Sequence, residues 1–227
     1  MAKSMIVGNG IKRTFPVPGG EFQALKGIDV DVKEGVFAIL RGRSGSGKTT
    51  LMNILSTLDE PTAGEVILDG INVKDLSFYE REELRRKKMG FVFQSVSLIP
   101  SLNAYQNVEF ALRMAGAPIN DEAALRIEEC LKKVGLGNRM THYPSEMSGG
   151  EQQRVAIARA FVHRPNIIFA DEPTAELDSV MAAKVTETFQ KMSSEEGITV
   201  LMTTHDVGLM GAADMIIELE NGERINA

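Results

Sequence analysis

The sequence predicts an α/β fold, in which a mostly parallel β-sheet is covered by helices on both faces and carries a helical insert. Short, fully apolar segments of strand length alternate with segments of helical periodicity, as in sheets that are buried on both faces. About fifty residues in the middle of the chain have helical spacing and contain no strand candidate. The glycine-rich and polar motifs come directly after the apolar segments, where ligands of such sheets bind.

Each element is predicted from its local pattern. Residues 25–32 alternate and residues 36–40 are fully apolar, so both are predicted strands, separated by a turn at Glu34-Gly35. Asp69-Gly70 predicts the turn of a hairpin over residues 65–73. Further strands are predicted at residues 90–93, 167–170, 199–203 and 215–219. Helices are predicted at residues 48–58, 78–88, 104–114, 121–134, 151–161 and 180–192.

Composition excludes several classes of protein. The 227 residues are 43% hydrophobic and 25% charged, which is typical of a globular domain, and the net charge of −6 argues against broad nucleic-acid binding. The longest apolar segments are far shorter than a membrane span, and the first residues lack the apolar core of a secretion signal, so we expect no membrane insertion. The single cysteine, Cys130, is expected to fill the core and fits a reducing cytosol. The basic run at residues 85–88 is interpreted as a solvated helix face.

The segment GRSGSGKT, which we call the phosphate loop (residues 42–49), lies between a predicted strand and a predicted helix. It fits the G-x-x-x-x-G-K-[ST] pattern, in which backbone N–H groups and a helix N-terminus surround phosphate oxygens. Lys48 is expected to reach the β- and γ-phosphates, and Thr49 is expected to bind Mg²⁺. The predicted nucleotide contacts are Gly42, Arg43, Ser44, Gly45, Ser46, Gly47, Lys48, Thr49 and Thr50.

Two carboxylates, Asp171 and Glu172, end the apolar segment IIFADEP. A buried strand that ends in two acids needs something to compensate their charge. Asp171 is predicted to bind the magnesium shell, and Glu172 is predicted to polarise the water that attacks the γ-phosphate. An acidic helix cap or loop is the structural alternative.

The signature segment MSGGEQQR (residues 147–154) places a serine and two glycines at the start of a predicted helix. Ser148, Gly149 and Gly150 would form an anion receptor, with free N–H groups, a hydroxyl and no Cβ in the way. The alternative is a flexible turn with Ser148 as N-cap. Because the phosphate loop already provides one phosphate site, a second one requires another phosphate or another copy of the chain.

The combination GRSGSGKT, Gln94, MSGGEQQR, IIFADEP, AELD and TTHD resembles the ATP-binding-cassette (ABC) ATPases over essentially the whole chain. The resemblance implies a P-loop fold with a RecA-like mixed sheet and an N-terminal antiparallel β subdomain. It implies one domain over residues 1–227, with the core in 1–95 and 160–227 and a helical subdomain in 96–159. It also implies a head-to-tail dimer, in which each ATP lies between one phosphate loop and the partner's Ser148-Gly149-Gly150.

The resemblance assigns further roles. Phe15 matches the aromatic that stacks on adenine, with a core phenylalanine as the alternative, and Glu151 is placed with the nucleotide contacts. Gln94 matches the glutamine that senses magnesium and the attacking water, Asp178 the aspartate that couples the two sites, and His205 the histidine that contacts the γ-phosphate. We assign Glu172, His205, Gln94 and Lys48 to catalysis, and Thr49, Gln94 and Asp171 to magnesium.

Three residues depart from the common family pattern. Arg43 stands where proline is frequent, Met147 where leucine is frequent, and Glu176 where many relatives carry a small or amide residue. The last change bears on the dimer contacts, since a carboxylate at the interface would repel its counterpart.

The predicted function is that of an ATPase subunit that works with a separate transmembrane permease on the inner face of the cell membrane. The segment FVFQSVSLIPSLNAYQNV and the compact length most resemble the group that exports macrolides or antimicrobial peptides or releases lipoproteins, and a cell-division complex and an importer of small solutes are the competing assignments. An ATP-switched regulator of a cell-division or cell-wall complex is the alternative. DNA-organising ATPases would need a long coiled-coil insert, which the chain lacks.

Overall fold

The computed structural model describes residues 2–225, which form two sheets and six α-helices. The strands are β1 (Ser4–Val17), β2 (Gly20–Lys33), β3 (Phe37–Arg41), β4 (Ala63–Leu68), β5 (Ile71–Asn72), β6 (Met89–Val92), β7 (Ile167–Ala170), β8 (Thr199–Thr204), β9 (Met215–Glu220) and β10 (Glu223–Arg224). The helices are α1 (Lys48–Leu55), α2 (Phe78–Lys88), α3 (Ala104–Ala115), α4 (Asp121–Lys133), α5 (Gly149–Phe161) and α6 (Ser179–Glu196).

The larger sheet has the order β10-β9-β3-β8-β7-β6, and all its pairs are parallel except β9 with β10. Strand β3 shows how the sheet is buried, because its side chains alternate between two cores. Phe37 and Ile39 pack with residues of α3, α4, α5 and α6, whereas Ala38 and Leu40 pack with α1 and the smaller sheet. The predicted parallel sheet covered on both faces is confirmed.

The smaller sheet is antiparallel, with the order β2-β1-β4-β5. The predicted hairpin is confirmed: Leu68 pairs with Ile71, and the turn residues Asp69 and Gly70 have positive φ values of 51° and 80°, as a tight two-residue turn requires. The predicted strand at residues 25–32 is confirmed as part of β2, but it pairs with β1 rather than with a strand of the larger sheet. Strand β1 was not predicted, because glycines and a proline interrupt its apolar pattern.

Between β6 and β7 the chain is helical and contains no strand, as predicted. The apolar side of α4 packs into the core with Ile127 and Leu131, and Cys130 is fully buried beside them. Burial raises the pKa of the Cys130 thiol to about 12, so the sulfur behaves as a core atom rather than a nucleophile. Within residues 2–225, no helix has the length and apolarity that crossing a bilayer demands.

Two helices end more than one residue away from the predicted position. Helix α1 stops at Leu55 rather than at residue 58, because Thr57 takes a positive φ of 63° and ends the helical path. Helix α6 extends beyond residue 192 to Glu196, where Gly197, with φ 69°, forms a left-handed C-cap.

Gly90 in β6 is a point at which the larger sheet approaches helix α5 very closely. A Cβ at residue 90 would overlap the carbonyl oxygen of Ala160, which is backbone and cannot rotate away. We therefore expect Gly90→Ala to lower the free energy of unfolding by roughly 1–3 kcal/mol, as overpacking does, when unfolding is followed in urea. Gly211→Ala is the control, since a Cβ there meets no atom within 4 Å and φ is not positive; equal stability of the two variants would contradict the packing argument.

Candidate functional site

The phosphate loop connects β3 to α1 and is folded tightly by its glycines. A Cβ on Gly42 would lie 2.5 Å from Oγ of Ser46 and would also overlap the carbonyl of Leu219. Gly47 has φ 102°, and a Cβ there would lie 2.8 Å from Cδ2 of Leu25. Both positions therefore require glycine for packing within the chain. The Oγ of Ser46 is buried and makes no hydrogen bond within the described part of the chain.

Lys48 is the first residue of α1, and its side chain folds back over the phosphate loop. Its Nζ donates to the carbonyl oxygens of Gly42 (2.8 Å) and Arg43 (3.2 Å). The side chain is buried, and it forms no ion pair with a carboxylate among residues 2–225. A buried ammonium that is held only by two carbonyls lacks a compensating anion. The exposed Thr49 and the half-buried Thr50 come next at the start of the helix, where first-turn N–H groups are free.

The two predicted carboxylates lie where β7 ends, and one threonine of β8 organises both. The Oγ1 hydroxyl of Thr203 donates to Oδ1 of Asp171 (2.6 Å). Oγ1 of Thr203 also accepts a hydrogen bond from the backbone N–H of Glu172 (2.8 Å). Glu172 has φ 45°, which is unusual for a residue with a side chain and is the kind of backbone strain found at functional sites. The sequence motif TTHD gave no role to Thr203, and only the structure identifies it.

His205 and Gln94 are placed at the same edge of the sheet. Nδ1 of His205 lies 3.5 Å from Oε2 of Glu172, and both residues line an open cleft of about 460 Å³. Gln94 comes just after β6, whose Val92 accepts a hydrogen bond from the N–H of Asp171 (2.8 Å). The side chain of Gln94 is exposed. The strands β6, β7 and β8 thus bring three of the four predicted catalytic residues to one edge, and β3 leads to the fourth, Lys48.

The donors assigned to magnesium are all oxygen atoms: the hydroxyl of Thr49, the amide of Gln94 and the carboxylate of Asp171. Asp171 has one carboxylate oxygen bonded to Thr203 and the other without a hydrogen bond to any described residue. Mg²⁺ prefers oxygen ligands and is commonly held by one or two side chains together with substrate phosphates. The residues present therefore fit magnesium. Within residues 2–225 there is no cluster of three or more acidic, histidine or cysteine side chains that would hold a metal alone.

The signature segment starts helix α5 with a capping box. Ser148 is the N-cap; its Oγ accepts from the N–H of Glu151 (3.3 Å), and Oε2 of Glu151 accepts from the N–H of Ser148 (2.9 Å). The N-cap alternative for Ser148 is therefore correct as local structure. The box leaves the N–H groups of Gly149 and Gly150 without acceptors in the helix, since first-turn donors have none. The assignment of Glu151 to the nucleotide stays a prediction; its observed contacts are the hydrogen bonds with Ser148 and an ion pair with Arg139 (3.3 Å).

The two glycines of the signature segment differ in what their own chain requires. A Cβ on Gly149 would meet no atom within 4 Å, and its φ is not positive, so nothing within the chain demands glycine there. A Cβ on Gly150 would lie 3.0 Å from Cδ2 of Leu177. Residues 175–178, which we call the AELD segment, thus pack against the start of α5. Asp178 caps α6 by accepting from the N–H of Met181 (2.9 Å), and its predicted coupling role is untested.

Phe15 lies near the end of β1 and pairs across the hairpin with Phe22. Its ring is only half-buried, so it is not a core phenylalanine, and the guanidinium of Arg13 lies 4.6 Å from the ring centroid. Arg13 pairs with Leu25, the residue that would touch a Cβ on Gly47. Strand β2 therefore borders the phosphate loop at Leu25, a few residues along from the pair of Phe15 with Phe22. Stacking on adenine stays a prediction.

The chain is similar to known proteins of one family. The model of the family described as "ABC transporter" matches residues 25–175. The chain is 43% identical over 213 residues to the macrolide export ATP-binding/permease protein MacB of Syntrophobacter fumaroxidans, covering 93% of this chain and 30% of that protein. It is 41% identical over 219 residues to the lipoprotein-releasing system ATP-binding protein LolD of Syntrophus aciditrophicus, covering 96% of this chain and 98% of that protein. The chain thus spans about a third of the MacB relative.

A solved structure supports the fold. The dimeric post-hydrolysis state of the ATP-binding cassette MJ0796 of Methanocaldococcus jannaschii, bound to ADP and Pi, matches with a TM-score of 0.91 and 42% identity. The match covers 98% of this chain and 97% of that one. The resemblance inferred from the motifs and the predicted fold class are confirmed by these comparisons.

The capping box predicts a pH dependence of stability. Hydrogen bonds from the backbone N–H and the hydroxyl of Ser148 lower the pKa of Glu151. A carboxylate with a lowered pKa stabilises the fold fully above its unfolded pKa of about 4.3, and the contribution disappears as the pH falls through the folded value. We expect the wild type to exceed Glu151→Gln in Tm at about pH 6, and we expect this difference to shrink as the pH falls below the unfolded pKa of about 4.3, measured by calorimetry.

The capping box of Ser77 and Glu80 in helix α2 provides the control for this prediction, because the same bonds lower the pKa of Glu80. Glu80→Gln should show the same loss of its Tm difference at low pH. A Tm difference for Glu151→Gln that is constant across this pH range would contradict the assignment.

Proposed function

The chain belongs to the ABC transporter family, and we propose that it binds and hydrolyses ATP to power a separate membrane-spanning subunit. The observation that carries this proposal is the pair of incomplete phosphate sites. The phosphate loop holds a buried lysine without an anionic partner among the described residues, and the signature segment holds a glycine, Gly149, that nothing in its own chain requires. A triphosphate held between two copies would complete both sites.

ATP binding rests first on the phosphate loop. Lys48 is held by carbonyl oxygens that are weaker partners than an anion, so phosphate oxygens can replace them when the nucleotide enters. The N–H groups at the start of α1 point toward the same space and favour negative charge there. Phe15, on the neighbouring β1–β2 hairpin, supplies an aromatic face for the base. MJ0796, the structural relative, was solved with ADP and Pi.

Hydrolysis rests on the carboxylates that end β7. Glu172 would accept a proton from the attacking water as general base, and its positive φ of 45° is the kind of backbone strain found at functional sites. His205, 3.5 Å from Glu172, would contact the γ-phosphate, and Gln94 would orient the water. Thr203 keeps Asp171 and Glu172 in fixed relative positions.

Magnesium belongs to the same proposal. Thr49, Asp171 and Gln94 would hold the ion at the edge of the sheet where the phosphate loop and the carboxylates meet. The bound ion would neutralise charge on the β- and γ-phosphates.

The head-to-tail dimer rests on the signature segment. Ser148, Gly149 and Gly150 would bind the γ-phosphate on the partner's phosphate loop through the hydroxyl and the two free N–H groups. The hydroxyl of Ser148 lies 3.0 Å from Glu151, and it would turn from this carboxylate to the phosphate on binding. Asp178, which caps α6 beside this segment, would transmit the state of one site to the other. The assignment of residues 96–159 to a helical subdomain belongs to the same proposal.

The membrane partner and the transport process are inferred from the named relatives. One relative is a macrolide export protein and another belongs to a lipoprotein-releasing system. We propose an exporter or lipoprotein-release complex, with this chain peripheral on the inner face of the cell membrane. Isolation of the tagged chain with its membrane subunit, followed by reconstitution, tests this proposal: ATP-dependent movement of a substrate supports it, and ATP-dependent control of a bound hydrolase without movement contradicts it.

Glu172→Gln tests the role of the general base. The amide keeps the size of the side chain but cannot accept a proton, so we expect ATP binding to persist while turnover falls about 10²–10⁴-fold. An ATP-bound dimer should accumulate, as measured by size-exclusion chromatography with light scattering. Glu82→Gln, an exposed glutamate on α2, is the control and should behave as the wild type. Normal turnover in Glu172→Gln would remove this residue from its role.

Ser148→Arg tests the site in the partner subunit. In the Glu172→Gln background we expect it to abolish the ATP-induced dimer, because the large side chain fills the space of the γ-phosphate, while the monomer binds nucleotide normally. Ser77→Arg is the matched control, since Ser77 caps α2 with the same box and its loss costs a similar ~1 kcal/mol of stability. A dimer that survives Ser148→Arg would show that phosphate is not bound across the interface.

A further inference from the structure

Two exposed residues of opposite charge lie on the two surfaces that the proposed dimer brings together. Arg43 is in the phosphate loop and Glu176 is in the AELD segment, and both are exposed. We propose that Glu176 of one subunit pairs with Arg43 of the partner subunit in the ATP-bound dimer. This inference rests on the head-to-tail dimer proposed above.

The backbone around Glu176 fixes the direction of its side chain. The N–H of Ala175 donates to the carbonyl of Glu172 (3.2 Å), and the N–H of Leu177 donates to the carbonyl of Thr174 (3.1 Å). Leu177 is partly buried against the core, whereas Glu176, its neighbour, is exposed. The AELD segment is therefore an ordered turn that presents a carboxylate at the surface.

The AELD segment is a direct neighbour of the signature segment. Cδ2 of Leu177 would lie 3.0 Å from a Cβ on Gly150, which leaves no room for another group between them. If Gly149 and Gly150 bind a phosphate that sits on the partner's phosphate loop, the adjacent AELD segment faces that loop as well. Arg43 is the second residue of the loop, so the proposed dimer brings it toward Glu176.

The side chain of Arg43 is available for such a contact. Its carbonyl accepts a hydrogen bond from Lys48, which holds the backbone in place, while its guanidinium forms no ion pair within residues 2–225. Arg41, two residues earlier, is already paired with Glu218 (2.6 Å). Glu176 likewise has no ion pair in the described part of the chain. Arg43 and Glu176 thus each carry a charge without an ion-pair partner among the described residues, and the two charges are opposite.

The proposed ion pair would reduce electrostatic repulsion at the dimer interface. Residues 165–183 contain Asp171, Glu172, Glu176 and Asp178 but no lysine or arginine. An additional carboxylate beside a triphosphate raises the repulsion at the interface, since like charges a few ångström apart disfavour association. A guanidinium on the opposing loop removes this repulsion. Because the dimer has two-fold symmetry, the pair forms twice and its effect on dimerisation is doubled.

A charge-exchange experiment in the Glu172→Gln background tests the pairing. The dissociation constant of the ATP-bound dimer is measured by analytical ultracentrifugation at saturating ATP and Mg²⁺ for Arg43→Glu, Glu176→Arg and the double variant. We expect the dissociation constant to rise roughly 3- to 30-fold in each single variant, because two exposed ion pairs are replaced by two pairs of like charges. In the double variant the dissociation constant should return most of the way to the parent value. Higher ionic strength should shrink all these differences.

Nucleotide affinity of the monomer separates this effect from the contact that Arg43 itself is predicted to make with ATP. It is measured for each variant with a fluorescent ATP analogue, so that every dimerisation experiment is run at saturation. Glu187→Arg, a charge reversal at an exposed residue of α6, is the control and should leave the dimer unchanged.

The outcomes distinguish this inference from the proposed function. If the Glu172→Gln protein forms no dimer with ATP, the head-to-tail proposal fails and the pairing fails with it. If that dimer forms but the loss of dimerisation free energy in the double variant equals the sum of the losses in the two single variants, only the pairing is wrong. A Glu176→Arg variant that dimerises more tightly than its parent would also overturn the pairing.

Discussion

The parallel register of β3, β8 and β7 is the constraint on which the candidate site depends. Arg41 pairs with Thr204, and Ala170 pairs with Met202, so the ends of these strands meet at one edge of the sheet. The hydroxyl of Thr203 then links β8 to both carboxylate residues at the end of β7. Because the phosphate loop leaves β3 at the same edge, the register alone places a phosphate receptor, two carboxylates and a histidine side by side.

The sequence was sufficient for features whose signal is local. The strand at residues 167–170, the Asp69-Gly70 hairpin and helix α2 carry their period or turn residues within a few positions, and each was found where predicted. Strand β1 was missed because its stability comes from pairing on both sides with β2 and β4, which glycines and polar residues in its own sequence obscure. The role of Thr203 was missed for a related reason, since a threonine in a buried strand has no pattern that reveals its partners.

The two capping boxes show why geometry within one chain does not reveal function by itself. Ser77 and Ser148 cap their helices with the same reciprocal bonds to a glutamate three residues later. The first two residues of each helix differ: residues 78 and 79 are bulky, exposed aromatics, whereas Gly149 and Gly150 leave the first-turn N–H groups open to an approaching ligand. A helix start needs only the cap for stability. Gly150 is needed for close packing against Leu177, but Gly149 costs helix stability without any benefit inside the chain, and this cost favours a ligand there.

Glu172, at the centre of the site, likewise has features that lower the stability of the fold and that a functional role would explain. Its positive φ, its adjacent carboxylate and its position at the end of a buried strand are all unfavourable for an isolated residue. The fold tolerates them because β7 is buried along its whole length and Thr203 satisfies both the N–H of Glu172 and an oxygen of Asp171. The buried strand and the hydrogen bond from the N–H of Glu172 to Thr203 hold the backbone of Glu172 in this unfavourable conformation. Backbone strain that the surrounding structure maintains in this way is found chiefly at functional sites.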